Sequence, residues 1–212
     1  MQRPLPIRDG VSASAVFLPE GEWRTVLAFL TYYFPSVGEA RWVARMESGS
    51  VVDAEGDAIA PTALYRPLTR IFYYRELEDE LQIPFDEVIL FENDHLIVAD
   101  KPHFMSTVPV GRYLKETLLV RLKQRLNLEH LVPLHRLDRD TAGLVLLSKQ
   151  VATRDAYHAL FRGDGITKAY EAVARFNPEH EYPVTRQSRI GRAELFYRRE
   201  EVEGVPNASS VI

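Results

Sequence analysis

Between residues 131 and 149 the chain reads L-V-P-L-H-R-L-D-R-D-T-A-G-L-V-L-L-S-K, in which Asp138 stands between Arg136 and Arg139 with a second acid, Asp140, close behind. Apolar runs on both sides, 131–134 and 143–147, are bounded by turn residues and read as buried strands. The charged turn is therefore expected at the rim of a core. A carboxylate there can be hydrogen-bonded, partly desolvated and steered by a neighbouring guanidinium, the conditions that give one Asp a distinct protonation behaviour. Such a group can act as a nucleophile or as a base. The same spacing also fits a salt-bridged surface turn, because structural ion pairs perturb charges too.

The elements that must position this turn can be read in chain order. The proline-rich residues 1–18 form an extended arm against a neighbouring surface. Trp23, Val26, Leu27, Leu30 and Phe34 then recur at helical spacing, and Pro35 ends the pattern. Ser36-Val37-Gly38-Glu39 has the form of a capping box, so a second helix is expected over 37–46, ending at Gly49 and burying Ala40, Trp42 and Val43. Residues 51–59 read as a short β-ribbon about a glycine turn, and 69–75 as an aromatic-rich strand. The acidic run 76–80 reads as a solvated linker and sets a domain boundary, dividing the chain into 1–80 and 81–212. Residues 87–91 and 95–99 form a hairpin around Glu92-Asn93-Asp94.

Leu114, Leu118, Leu122 and Leu126 recur every fourth residue, while Lys115, Arg121, Lys123 and Arg125 occupy other faces. This predicts an amphipathic helix over 113–126 whose basic side is either simply solvated or suited to phosphate contact. A further helix is expected over 151–161, packing through Ala152, Ala156, Ala159 and Leu160. After a turn at Gly163-Asp164-Gly165, the period of two in residues 167–176 predicts a strand with Lys168, Tyr170 and Ala172 on one face. That face could turn Tyr170 toward the same cleft as Asp138.

With 212 residues, 46% of them hydrophobic, the chain can build one sizeable core or two small ones. The absence of cysteine excludes disulfides and thiolate metal sites. His130 and His135, five apart, do not share a helix face as a zinc pair would, and no metal is expected. No apolar run approaches the roughly 18 residues of a membrane span, and the first residues lack the apolar core of a signal peptide, so a cytoplasmic protein is expected. The net charge is −4, yet residues 101–176 hold 13 Lys/Arg against 7 Asp/Glu, a distribution that suits a basic face with acidic flanks.

His135-Arg136-Leu137-Asp138, followed by Thr141 and Gly143, resembles the H-R-L-D-x-x-T-(S/A)-G signature of the RluA-type pseudouridine synthases. Upstream, Asn93-Asp94-His95-Leu96-Ile97-Val98-Ala99-Asp100-Lys101-Pro102 resembles that family's strand ending in D-K-P. Downstream, Lys168-Ala169-Tyr170-Glu171-Ala172 resembles its K-x-Y-x-A strand. The helix-helix-ribbon order of residues 1–80 resembles a small RNA-binding domain first seen in a small-subunit ribosomal protein; a small packing domain is the other reading.

The resemblance implies an α+β chain in which this small domain precedes a mixed, largely antiparallel sheet with flanking helices. It implies isomerisation of specific uridines to pseudouridine in structured RNA, ribosomal or transfer, by a monomer without metal or redox cofactor. Asp138 is then the catalytic carboxylate, as nucleophile or as base. Arg136 fills the space left by the extracted base, and Tyr170 stacks on the flipped uracil or donates to it. Lys168, with Lys115, Arg121 and Lys123, lines the RNA-facing side, and His135 anchors the turn. Family members continue through a C-terminal third carrying an R-T-H-Q-(I/L)-R-type motif that these residues lack. A fragment of a longer protein is expected, a degenerate member being the alternative. The competing function is an RNA-binding module that kept the cleft and lost turnover.

Overall fold

A helix beginning at Val26 leaves its first N–H groups without intrahelical partners. Thr25 supplies one, its Oγ1 accepting from Ala28 N at 3.1 Å ahead of α1 (Val26–Tyr33). The computed structural model describes residues 4–77, 79–163, 165–179, 181–193 and 198–212, which fall into two compact units divided between Thr167 and Lys168. The first residues of the expected arm, and Asp164 of the expected turn, lie outside the described residues. The architecture is mixed α+β, with every sheet antiparallel.

In the first unit, β1 (Ser14–Phe17) and β2 (Val51–Val52) pair antiparallel with the two edges of β3 (Arg70–Tyr73), Ser14 opposite Tyr73 and Val52 opposite Phe72. The end of the expected arm is thus a strand. α2 (Glu39–Glu47) closes this sheet with α1 around Phe29, Leu30, Trp42, Met46, Val51 and Ile71. Trp42 is fully buried and meets the Tyr73 ring edge-on at 5.1 Å. Two local expectations change here. The N-cap of α2 is Gly38 at φ 78 with no side-chain cap bond, so the Ser36 box does not form; Ala40 is exposed, and Trp42, Arg45 and Met46 make the inward face. The ribbon is reduced to β2 and a return through Ala58, tied by the Asp53 carboxylate accepting from the Glu55, Gly56 and Asp57 N–H groups.

The acidic run is also not simply solvated. The Glu80 carboxylate accepts from the backbone N–H groups of Leu114, Lys115 and Glu116 and fixes the approach to α3 (Leu118–Leu126). The helix therefore starts later than its leucine spacing suggests, at an N-cap on Thr117, and ends on Asn127 at φ 54.

A second core lies under the four-stranded sheet β4-β5-β7-β6, made of β4 (Val88–Glu92), β5 (Leu96–Lys101), β6 (Val132–Pro133) and β7 (Gly143–Ser148). Asn93 Oδ1 closes the expected β4–β5 hairpin, accepting from His95 N and Leu96 N at 2.8 Å each. Ile97 and Ala99 of β5, with Val145 and Leu147 of β7, point into the core formed with Met105, Leu118, Leu122 and Leu131. α4 (Val151–Arg162) follows β7, with Phe161 stacked on His135 at 4.9 Å and Arg154 donating to the His130 carbonyl. These contacts turn Thr153, Arg154, Tyr157, His158 and Phe161 inward and leave Ala152, Ala156, Ala159 and Leu160 exposed, the reverse of the expected face.

In the second unit β8 (Thr185–Arg192) is paired on both edges, with β9 (Arg199–Val202) and β10 (Ala208–Val211). Residues 167–176 form no strand. Alternation sets which side chains share a face, but a strand also needs a ladder with a neighbouring strand, which these residues do not form.

Candidate active site

The connection between β6 and β7 carries the charged turn. Val132 pairs with Ser148 and Pro133 with Leu147, and Leu134 N donates to Leu146 O at 2.8 Å, so the strands hold both ends of residues 135–142. Within it the side chains alternate: Arg136 is exposed, Leu137 is buried in the second core, and Asp138 is exposed. Burying Leu137 thus leaves Arg136 and Asp138 both in solvent, on either side of a fixed point.

That point is fixed by polar groups as well. Thr107 Oγ1, itself buried, donates to Leu137 O at 2.8 Å and accepts from Leu137 N at 3.2 Å. Both backbone polar groups of a buried residue are thereby satisfied by one hydroxyl. Thr141 N donates to Asp138 O at 3.1 Å, and His103 Nδ1 lies 2.9 Å from Asp140 O. Arg139 pairs with Asp140 at 3.0 Å and reaches the Tyr113 hydroxyl at 3.2 Å. The Asp140 carboxylate is therefore occupied by its neighbour. His135, expected as an anchor, accepts from Leu146 N through Nε2 at 3.2 Å and stacks on Phe161.

Beneath the turn lies a buried lysine. Lys101 ends β5 fully buried, its Nζ donating to Met105 O at 2.7 Å and Pro102 O at 3.0 Å, with Arg139 O at 3.5 Å. Burial pushes its pKa below the ordinary 10.5, opposed by the negative charges of Asp140 and Asp138. The signal was present in strand parity: Ile97, Ala99 and Lys101 are two apart, so a lysine was bound to share the inward face. Beside it, a cavity of about 290 Å³ is lined by Phe85, Asp100, Lys101, His103 and Phe104, and reaches the turn at Ala142.

The other expected site residues are not part of this turn. Lys115 is exposed and paired with Asp9 at 3.1 Å. The Arg121 guanidinium pairs with Glu116, lies 3.6 Å from buried Glu87, and donates to Ile83 O and Phe85 O at 2.8 Å each. Lys123 is buried. Lys168 and Tyr170 belong to the other compact unit, on the segment without a ladder, where both are exposed. Among the described residues no cluster of three His, Asp or Glu could hold a metal ion, and no helix is long and apolar enough to cross a membrane.

Residues 95–211 match a family model described as RNA pseudouridylate synthase. Over 132 residues the chain is 30% identical to an uncharacterized RNA pseudouridine synthase of Synechocystis sp., covering 62% of this chain and 45% of the relative. It is 28% identical over 169 residues to RNA pseudouridine synthase 5 of Arabidopsis thaliana, covering 74% of this chain and 44% of the relative. With a human pseudouridylate synthase, RPUSD2, it shares 35% identity over 82 residues, 39% of this chain and 15% of the relative. The chain thus spans less than half the length of these relatives.

Proposed function

Because the chain belongs to the RNA pseudouridylate synthase family, we propose that the protein isomerises specific uridines to pseudouridine in structured RNA, ribosomal or transfer, with Asp138 as the catalytic carboxylate. The observation that carries the proposal is the turn itself. Asp138 is in solvent while its backbone is held by β6, β7, Thr107 and the Arg139 carbonyl on Lys101. A rigid support under an accessible carboxylate is what positioned covalent or base catalysis requires.

The reaction breaks the bond from N1 of uracil to C1′ of the sugar, turns the base, and joins C5 to C1′. The proton at C5 is lost and N1 gains one, so atoms balance without oxidant, reductant or co-substrate. A carboxylate can serve by attacking as a nucleophile or by accepting a proton, and Asp138 is assigned one of these two parts. A uridine within a stack must first be extracted, at a cost of a few kcal/mol. Arg136, exposed beside Asp138, is assigned to the vacated space, and Tyr170 to stacking on the extracted base. For phosphate contact the proposal keeps Lys168 and Lys115, which are exposed; Arg121 and Lys123 are assigned to holding α3 in place. A cytoplasmic monomer completes the proposal.

The test is release of tritium from C5-labelled uridine in unmodified ribosomal and transfer RNA transcripts, using the full-length protein. Release with a matching pseudouridine in the product supports the reading. Binding of these RNAs with no release on any of them favours a binding module instead.

A further inference from the structure

Phe104 sits at φ 66, a backbone conformation that glycine adopts freely and a bulky side chain rarely does. Burial does not explain it, since the side chain is 50% exposed. A strained residue that also leaves an aromatic ring in water is a pointer to a ligand contact. Phe85, 47% exposed, stands 6.3 Å away between ring centroids, and the His103 ring 6.0 Å away on the other contact. His103 is tied to Asp140 O, so the group is coupled to the turn that carries Asp138.

From this we infer that Phe104, with Phe85 and His103, forms a stacking site for an RNA base bearing an exocyclic amino group, next to the target uridine. The inference rests on the RNA reading above and adds a base contact to it. The rings line the cavity of about 290 Å³, whose lining also includes Asp100 and Asp86, the latter with its carboxylate 3.8 Å from the Arg121 guanidinium. That volume is close to the lower end of the roughly 300–1,000 Å³ pockets that take small ligands. Two carboxylates repel phosphate, and the lysine in the wall has its Nζ turned onto backbone carbonyls. What they can accept is an N–H from a base. Adenine, cytosine and guanine carry an amino group with two N–H donors, whereas uracil offers only the single ring N–H at N3, so the site favours the former.

Stacking on an aromatic side chain contributes enough that its loss weakens binding about 5- to 100-fold. The test uses the full-length protein and short homopolymeric RNAs of adenosine, cytidine or uridine, with affinity read by fluorescence anisotropy. Wild type is expected to bind the adenosine and cytidine polymers about tenfold tighter than the uridine polymer. Phe104→Gly should remove that preference and weaken binding to both by about 5- to 100-fold, while Phe104→Tyr keeps both. Because Gly relieves the positive φ, Phe104→Gly should melt no lower than wild type, so lost affinity would not reflect lost folding. Wild-type affinity in Phe104→Gly, or no base preference in wild type, would overturn the site. Pseudouridine formation is scored separately on the same preparations. Conversion with unchanged homopolymer binding removes the stacking site and leaves the reaction; lost binding in a protein that converts nothing does the reverse.

Discussion

Replacing Lys101 by methionine tests whether the buried lysine holds the turn under Asp138. Methionine keeps the apolar stem of the side chain, so the change removes mainly the ammonium group. Two bonds are short, to Met105 O at 2.7 Å and Pro102 O at 3.0 Å, and the one to Arg139 O at 3.5 Å is weak. Carbonyls left without a donor in a buried setting cost about 1–3 kcal/mol each, offset by no longer having to bury a charge, so a net loss of about 2–4 kcal/mol is expected. For a chain of 212 residues that is a fall in Tm of roughly 5–15 °C. Thermal unfolding followed by circular dichroism at neutral pH reads it directly. The pH dependence has a definite sign. Burial lowers the Lys101 pKa in the folded state, so between that value and 10.5 the unfolded chain binds more protons and stability rises with pH. The methionine variant lacks this rise, and the gap between the two proteins should widen in that alkaline window. An unchanged Tm at neutral pH would refute the idea that the lysine clasps the turn.

Other perturbations separate structural from chemical roles. Arg121→Ala leaves Glu116 without its cation and buried Glu87 with Arg125 alone, and should cost about 2–4 kcal/mol in chemical denaturation, with little change in the salt dependence of RNA binding. Lys115→Ala should instead lower that salt slope by about one, with a small effect on stability. Burial alone would raise the Glu116 pKa, but the Ile83 N–H and Arg121 hold it below the ordinary 4.5; its stabilising contribution is present above 4.5 and lost as the pH falls through the lowered value. Glu116→Gln should flatten that part of an acid-unfolding curve. His135→Ala removes the acceptor of Leu146 N–H and the stack on Phe161, and should cost about 1–3 kcal/mol in thermal unfolding.

What could be read in advance was whatever depended on local pattern. The runs on either side of the H-R-L-D turn became β6 and β7, and Asn93 marked the β4–β5 hairpin, because a strand with one buried face and a turn with a side-chain acceptor each leave a local signature. The failures had partners distant in sequence. Glu80 captured residues 114–116 and delayed α3 to Thr117, a contact that no window of helical length contains. α4 turned its alanines outward because Phe161 found His135. Residues 167–176 alternate as a strand does, but alternation does not supply the neighbouring strand that a ladder needs. In the candidate site the motif pointed to Asp138 and Arg136, whereas Lys101 and Thr107 gave no such signal because their work is done on backbone carbonyls and amides that carry no residue name.

On the proposed reading, the Asp138 carboxylate performs the isomerisation. Asp138→Asn in the full-length protein keeps the size of the side chain and removes its charge, so neither nucleophile nor base is left, while Arg136 and the supports of the turn are untouched. The measurement is pseudouridine formed per protein on a transcript that the wild type converts, with RNA affinity determined alongside. Conversion should vanish with affinity little changed, and Asp140→Asn, which loses its contact to Arg139 and a negative charge acting on Lys101, should stay within about tenfold of wild type. Conversion by Asp138→Asn at the wild-type rate would contradict the account and move the chemistry to another residue.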